Sequence, residues 1–183
     1  MSDEVVKFMA QSGIPSLYRD QAIKMNDSAV SLAYKELRLS DLYGPRDGVI
    51  VQGDAAGFYL IARYLIAIDK KTPFIISLSR LIEWVTTGMV THYTEEQEKR
   101  LANASHLFIT GMSHDGYRQS PFTSSVAWQV EQFIEDEVND GRTVSLHFKE
   151  EVHKCHWWSR DFLVFMQNRC VVFDKEGRVL EKK

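Results

Sequence analysis

Cysteine, proline and long apolar runs are scarce in this chain. Cys155 and Cys170 are its only cysteines among 183 residues. Two thiols cannot build a disulfide framework, which excludes the small stapled secreted class; both are expected to be reduced in a cytosol. No run approaches the ~20 apolar residues that a bilayer-spanning helix needs, so no membrane segment is expected. The first residues, MSDEVVKFMAQSG, lack the basic-then-apolar order of a signal peptide. A cytoplasmic protein is the expectation. Repeats, low-complexity tracts and obvious linkers are also missing, so residues 1–183 read as one domain with a helical lead-in over 1–47.

Charge of one sign is lacking too. The net charge is −3, too small for a general polyanion binder. Residues 1–141 hold 13 Lys+Arg against 19 Asp+Glu, whereas residues 142–183 hold 9 against 6, together with His147, His153 and His156. The mildly basic end reads first as a solvated surface and second as a contact for nucleic acid or an acidic protein.

A 44% hydrophobic share is enough for a real core. Residues 3–11 predict a short helix that Gly13 and Pro15 end. Asn26, Asp27 and Ser28 are cap candidates for a helix carrying Val30, Ala33, Tyr34 and Leu37. Strands are then expected at 49–52, 73–79, 106–110, 143–148 and 170–173. Between them lie helices at 57–68, after 79 through Trp84, at 94–104, at 125–141 and at 159–169. Thr94 and Gln97 form a capping-box pair, and Ser159 can cap the last helix. In the 125–141 helix, Val126, Val130, Phe133, Ile134 and Val138 share a face that ends at Gly141. Strands alternating with helices predict an α/β fold, a parallel sheet with helices on both faces. Its crevice lies at the carboxyl ends of the strands, which brings together 53–57, 110–115 and 147–149.

GVIVQGDAAGFYLIARYLI, residues 48–66, has the layout of a strand, a glycine loop and a helix. A phosphate-binding loop reads G-x-x-x-x-G-K-[ST]: backbone amides ring the phosphates, the lysine contacts them and the hydroxyl holds magnesium. Here Gly53 and Gly57 stand one residue too close. Phe58 replaces the lysine, Tyr59 replaces the hydroxyl residue, and Asp54 adds a negative charge. The third strand ends in Thr110 and Gly111, where an ATPase carries its acidic pair. The expectation is a degenerate nucleotide site with no ATP hydrolysis and no cofactor. A simpler account gives Gly53 and Gly57 only a tight strand-to-helix turn.

The order of these segments resembles the bacterial and phage replicative-helicase loaders, the DnaC-like AAA+ proteins. SGIPSLYRD (12–20) is similar to the family's entry element through Ile14, Pro15, Tyr18 and Arg19. GVIVQGDAAGFYLIARYLI resembles its first strand, loop and helix, PFIISLSRLIEWV its second strand and helix, VEQFIEDEVNDGRTVSLHF its long helix and sensor strand, and FMQNRCVVFDKEG its last helix and strand. The likeness spans about residues 12–177, but the loop motif is broken and SLHF lacks the sensor asparagine. Loaders usually carry a separate N-terminal helicase-binding domain, and about a dozen residues precede Gly13 in this sequence. The resemblance implies a P-loop NTPase core of the AAA+/ASCE kind. It also implies a replication accessory that works by protein contact on a replicative helicase or its loader, as adaptor or inhibitor. A divergent member without fuel suggests a phage or other mobile element. Arg160 or Arg169 stands where an arginine finger would.

Other clusters offer alternatives. His147, His153, Cys155 and His156 carry zinc-type ligands, but H-x5-H-x-C-H matches no common zinc spacing, so no metal is expected. Of Trp157 and Trp158, one is expected to be exposed as an interface anchor. His114 and Asp115, with Ser113 or Ser120 as nucleophile, are the candidates for a small-molecule enzyme, as the histidine cluster is for a metal enzyme. Tyr117 with Arg118, and the tryptophans with Lys154 and Arg160, could give weak single-stranded DNA contact. The third reading is an interaction module unrelated to replication.

Overall fold

In the computed structural model, residues 3–19, 28–38, 48–67, 71–113 and 124–180 are described. Five strands, β1 (Gly48–Gln52), β2 (Pro73–Ser77), β3 (His106–Thr110), β4 (Thr143–Phe148) and β5 (Cys170–Phe173), run parallel. A short β6 (Val179–Leu180) adds antiparallel to β5, giving the order β2-β3-β4-β1-β5-β6. The sheet is therefore parallel with one antiparallel edge. β6 went unforeseen because two exposed residues carry no alternation.

The strands are almost wholly buried, as near-continuous apolar runs predict for a sheet covered on both sides. Alternation then splits the core in two. Ile50, Ile76, Ile109, Leu146 and Val172 pack beneath α5 (Leu78–Thr87), α6 (Glu95–Asn103), α7 (Ser124–Asn139) and α8 (Arg160–Arg169). Val49, Val51, Ile75, Phe108 and Phe173 pack beneath α1 (Asp3–Gln11), α2 (Ser16–Arg19), α3 (Ala29–Arg38) and α4 (Ala56–Ala67).

Local chemistry sets the boundaries. Thr94 forms the expected capping box with Gln97, and Ser159 accepts the Phe162 N–H at 3.1 Å. β2 ends at Ser77 and the helix begins at Leu78, two residues before the expected change. Ser77 keeps extended dihedrals, and helix follows at once. α2 was not anticipated. Arg19 donates from Nε to the Ile14 carbonyl at 2.7 Å, which closes this single turn behind Pro15. Glu131 of α7 is buried, and its Oε1 accepts the Ser159 N–H at 2.5 Å.

Candidate functional site

The loop after β1 lies at the carboxyl end of the sheet, with β4 and β5 on its flanks. Gly53 has φ +95 and donates its N–H to the Phe148 carbonyl at 2.8 Å. A Cβ on Gly53 would meet the Lys175 Cβ at 2.7 Å, so the β5–β6 turn rests against this position. Gly57 touches α3: a Cβ there would meet Ser28 Oγ and Val30 Cβ, each at 2.8 Å. Both glycines therefore permit close packing of the chain on itself.

Asp54 stands just before α4, and its Oδ1 accepts the Ala56 N–H at 3.0 Å. A carboxylate thus sits on a helix-start donor of the kind that a phosphate oxygen takes in nucleotide loops. Phe58 does not stand in the loop mouth. It is fully buried, with its ring 4.8 Å from Phe108 and 5.7 Å from His147. Helical spacing gives the reason: Phe58, Ile61, Ala62 and Leu65 form the inner stripe of α4. That spacing was present in the sequence and outweighs the motif position.

Tyr59 turns the other way. Tyr18 stacks on it at 4.9 Å, so the aromatic of the Ile-Pro element clamps the lead-in to α4. The Tyr59 phenol faces the Thr110 side chain at the end of β3, and burial pushes its pKa up. Two positions that an ATPase bridges with magnesium thus meet directly through hydroxyls. Gly111 follows at φ +77, a conformation that disfavours an acidic side chain.

The three crevice segments do converge. His147 Nε2 lies 2.9 Å from the Gly53 carbonyl, the Met112 N–H donates to the His147 carbonyl at 3.0 Å, and the Glu150 N–H donates to Ser113 Oγ at 3.2 Å. A carbonyl only accepts, so Nε2 carries the proton. Nδ1 is then a bare, buried acceptor without a hydrogen-bond partner among the described residues. Desolvation by burial lowers the His147 pKa, against the opposing pull of Gly53 and Asp54.

The zinc-type ligands do not gather; no group of three or more metal-binding side chains exists among the described residues. His153 pairs with Glu151 at 3.1 Å, Cys155 is buried and His156 is exposed. Trp157 is 45% exposed. Trp158 is a core anchor rather than a contact residue: it is buried and donates from Nε1 to the Met112 carbonyl at 2.9 Å. Arg160 and Arg169 are exposed at opposite ends of α8, with the Arg169 guanidinium 5.7 Å from the Phe165 ring centroid. Ser113 is buried, whereas His114, Asp115, Tyr117, Arg118 and Ser120 lie outside the described residues. A cleft of about 670 Å³ between Gly53, Lys149, Lys154 and Lys175 is lined by acids as well, and Glu151 and Glu176 pair with its lysines.

No family model matches this chain, and no curated protein matches it. Its fold is similar to three solved structures. A Streptococcus pyogenes serotype M3 protein described as a primosome component aligns at TM-score 0.61 and 10% identity, over 98% of this chain and 100% of its own. Domain III of the replication initiation protein DnaA from Thermotoga maritima aligns at 0.55 and 14%, over 79% of this chain and 60% of that one. AMPPCP-bound DnaA from Aquifex aeolicus aligns at 0.56 and 10%, over 88% and 51%. At such identities the likeness concerns fold alone. The chain shares with domain III of DnaA a mostly parallel α/β fold.

Proposed function

We propose that this protein is a DNA-replication accessory of the AAA+ fold that acts by contact on a replicative helicase or its loader, without hydrolysing nucleotide. The observation that carries the second half is the burial of Phe58 between Phe108 and His147. The position that should supply a phosphate-binding cation supplies a core ring instead. Asp54, which caps the Ala56 N–H just before α4, and the packing of Ser28, Val30 and Lys175 against the glycines support the same reading. A carboxylate already occupies a donor there, and a triphosphate would have to displace packed chain.

The first half rests on the full-length fold likeness to a primosome component and on the segment order shared with helicase loaders. Contact would fall to exposed side chains such as Trp157, Arg160 and Arg169, since tryptophan and arginine are the residues most often dominant at interfaces.

Two measurements test this reading. Purified protein with ATP and magnesium, with and without single-stranded DNA, is expected to release no phosphate above a no-protein blank; turnover would overturn the non-hydrolysing assignment. Immobilised protein is expected to retain a DnaB-type helicase or its loader. Helicase loading onto DNA then tells adaptor from inhibitor by the sign of the change. Failure to retain either protein overturns the replication assignment and leaves an interaction module of other purpose.

A further inference from the structure

We propose that a second cleft, at the carboxyl ends of β2 and β3, binds a small oxyanion ligand of the phosphate-monoester class through Arg80. It shares Tyr59, at the start of α4, with the segment that follows the glycine loop, and holds about 350 Å³. That volume suits a small molecule, and strand carboxyl ends are where open α/β sheets place ligands.

Tyr59, Ser77, Tyr93 and Thr110 line it, with Arg80 and Gln97, and the Tyr59 and Thr110 side chains bond to each other. Among the described residues no aspartate or glutamate does, which argues against a cation site and for an anion. The guanidinium is fixed in place: it sits 5.0 Å from the Tyr93 ring centroid and donates to the Thr91 carbonyl at 3.4 Å. These contacts hold the side chain without neutralising it. Glu83 offsets part of the Arg80 charge through space, but it does not line the cleft, and its Oε1 accepts the Thr91 N–H at 2.8 Å. An arginine has five N–H donors in a fork that suits a phosphate, so several remain for a ligand. The Ser77 and Ser79 hydroxyls lie 3.0 Å apart, and either can donate, so the pair can turn a proton towards an oxyanion. Phe74 and the two tyrosines supply ring surface for the body of the ligand.

The test is a titration of the full chain with phenylphosphonate, followed by amide and side-chain NMR shifts. Saturable shifts are expected at Ser77, Arg80, Tyr93 and Thr110, with Gly53–Gly57 unmoved. The uncharged analogue benzyl alcohol is expected to bind at least about tenfold more weakly, and Arg80→Gln to lose about tenfold or more for phenylphosphonate, as for a charge-assisted hydrogen bond. Arg80→Lys is expected to recover part of that loss. Tyr93→Phe serves as an independent variant should Arg80→Gln fail to fold; it is expected to weaken binding less while keeping the ring. No saturation by about 10 mM, a dissociation constant too weak to matter, overturns the proposal. So do shifts centred on residues 53–57, or equal affinity in Arg80→Gln. None of these outcomes bears on ATP hydrolysis, so the two readings stand or fall separately.

Discussion

Phe58 and His147 decide what the loop can do, and both are single-residue matters. A lysine at position 58 would need its ammonium in solvent or on a phosphate, whereas the site here is a fully buried pocket against Phe108. Removing the ring should cost about 3–5 kcal/mol, as for buried phenylalanines generally. Urea unfolding of Phe58→Ala is the check, and a change within 1 kcal/mol or so would deny the ring its core role. Phe58→Lys should not restore ATP turnover, because a buried unpaired ammonium unfolds the loop before it can serve phosphate. His147 gives a second expectation. Its pKa is lowered in the folded state by burial, so above the unfolded value of ~6.5 it adds no pH dependence. As pH falls below that value, the unfolded chain takes up the proton first and stability drops. Melts between pH 7.5 and 5.5 should therefore show a loss that His147→Gln reduces. Glu137 titrates with the opposite sign, its pKa being raised by burial.

Helix ends and close contacts make the next scale testable. Alanine normally favours a helix over glycine by about 1 kcal/mol. Gly57→Ala should do the reverse, losing about 1–3 kcal/mol, because its methyl would press on Ser28 and Val30 at 2.8 Å. Asp54→Ala should lose about 0.5–2 kcal/mol by uncovering the Ala56 N–H. Thermal melts of both variants give the answer, and a stabilised Gly57→Ala would mean that α3 does not pack on the loop. These elements also show what was readable in advance. Caps and apolar runs are local, so the five long strands, the Thr94 capping box and the Ser159 cap were legible. Contacts between distant segments are not. Nothing around Gly57 announces Val30, nothing around Gly53 announces Lys175, and nothing around Tyr59 announces Tyr18 or Thr110. Ser77 misled because ISLS continues alternation and opens a helix equally well. Phe58 misled because a motif position was given more weight than the helical stripe it also belongs to.

The whole molecule combines a mostly parallel α/β sheet with a loop packed by its own chain. The strand order puts β1 between β4 and β5, so the loop meets the β4 histidine and the β5–β6 turn at the same end of the sheet. In a working NTPase that convergence surrounds a ligand, and the ligand contributes to stability by mass action. A nucleotide present at 100 times its dissociation constant adds about 2.7 kcal/mol, a shift of several degrees for a domain of this size. If Ser28, Val30, Asp54 and Lys175 fill the role from within, that contribution is already part of the folded chain. Millimolar ATP or AMPPCP with magnesium should then leave Tm unchanged, while Asp54→Ala lowers Tm with or without nucleotide. A nucleotide-dependent rise in Tm for the unmodified protein would show the packed loop opening to admit a ligand. A rise confined to Asp54→Ala would have a different meaning: the carboxylate alone had been holding the phosphate position. The two outcomes separate a site closed by packing from one closed by a single charge.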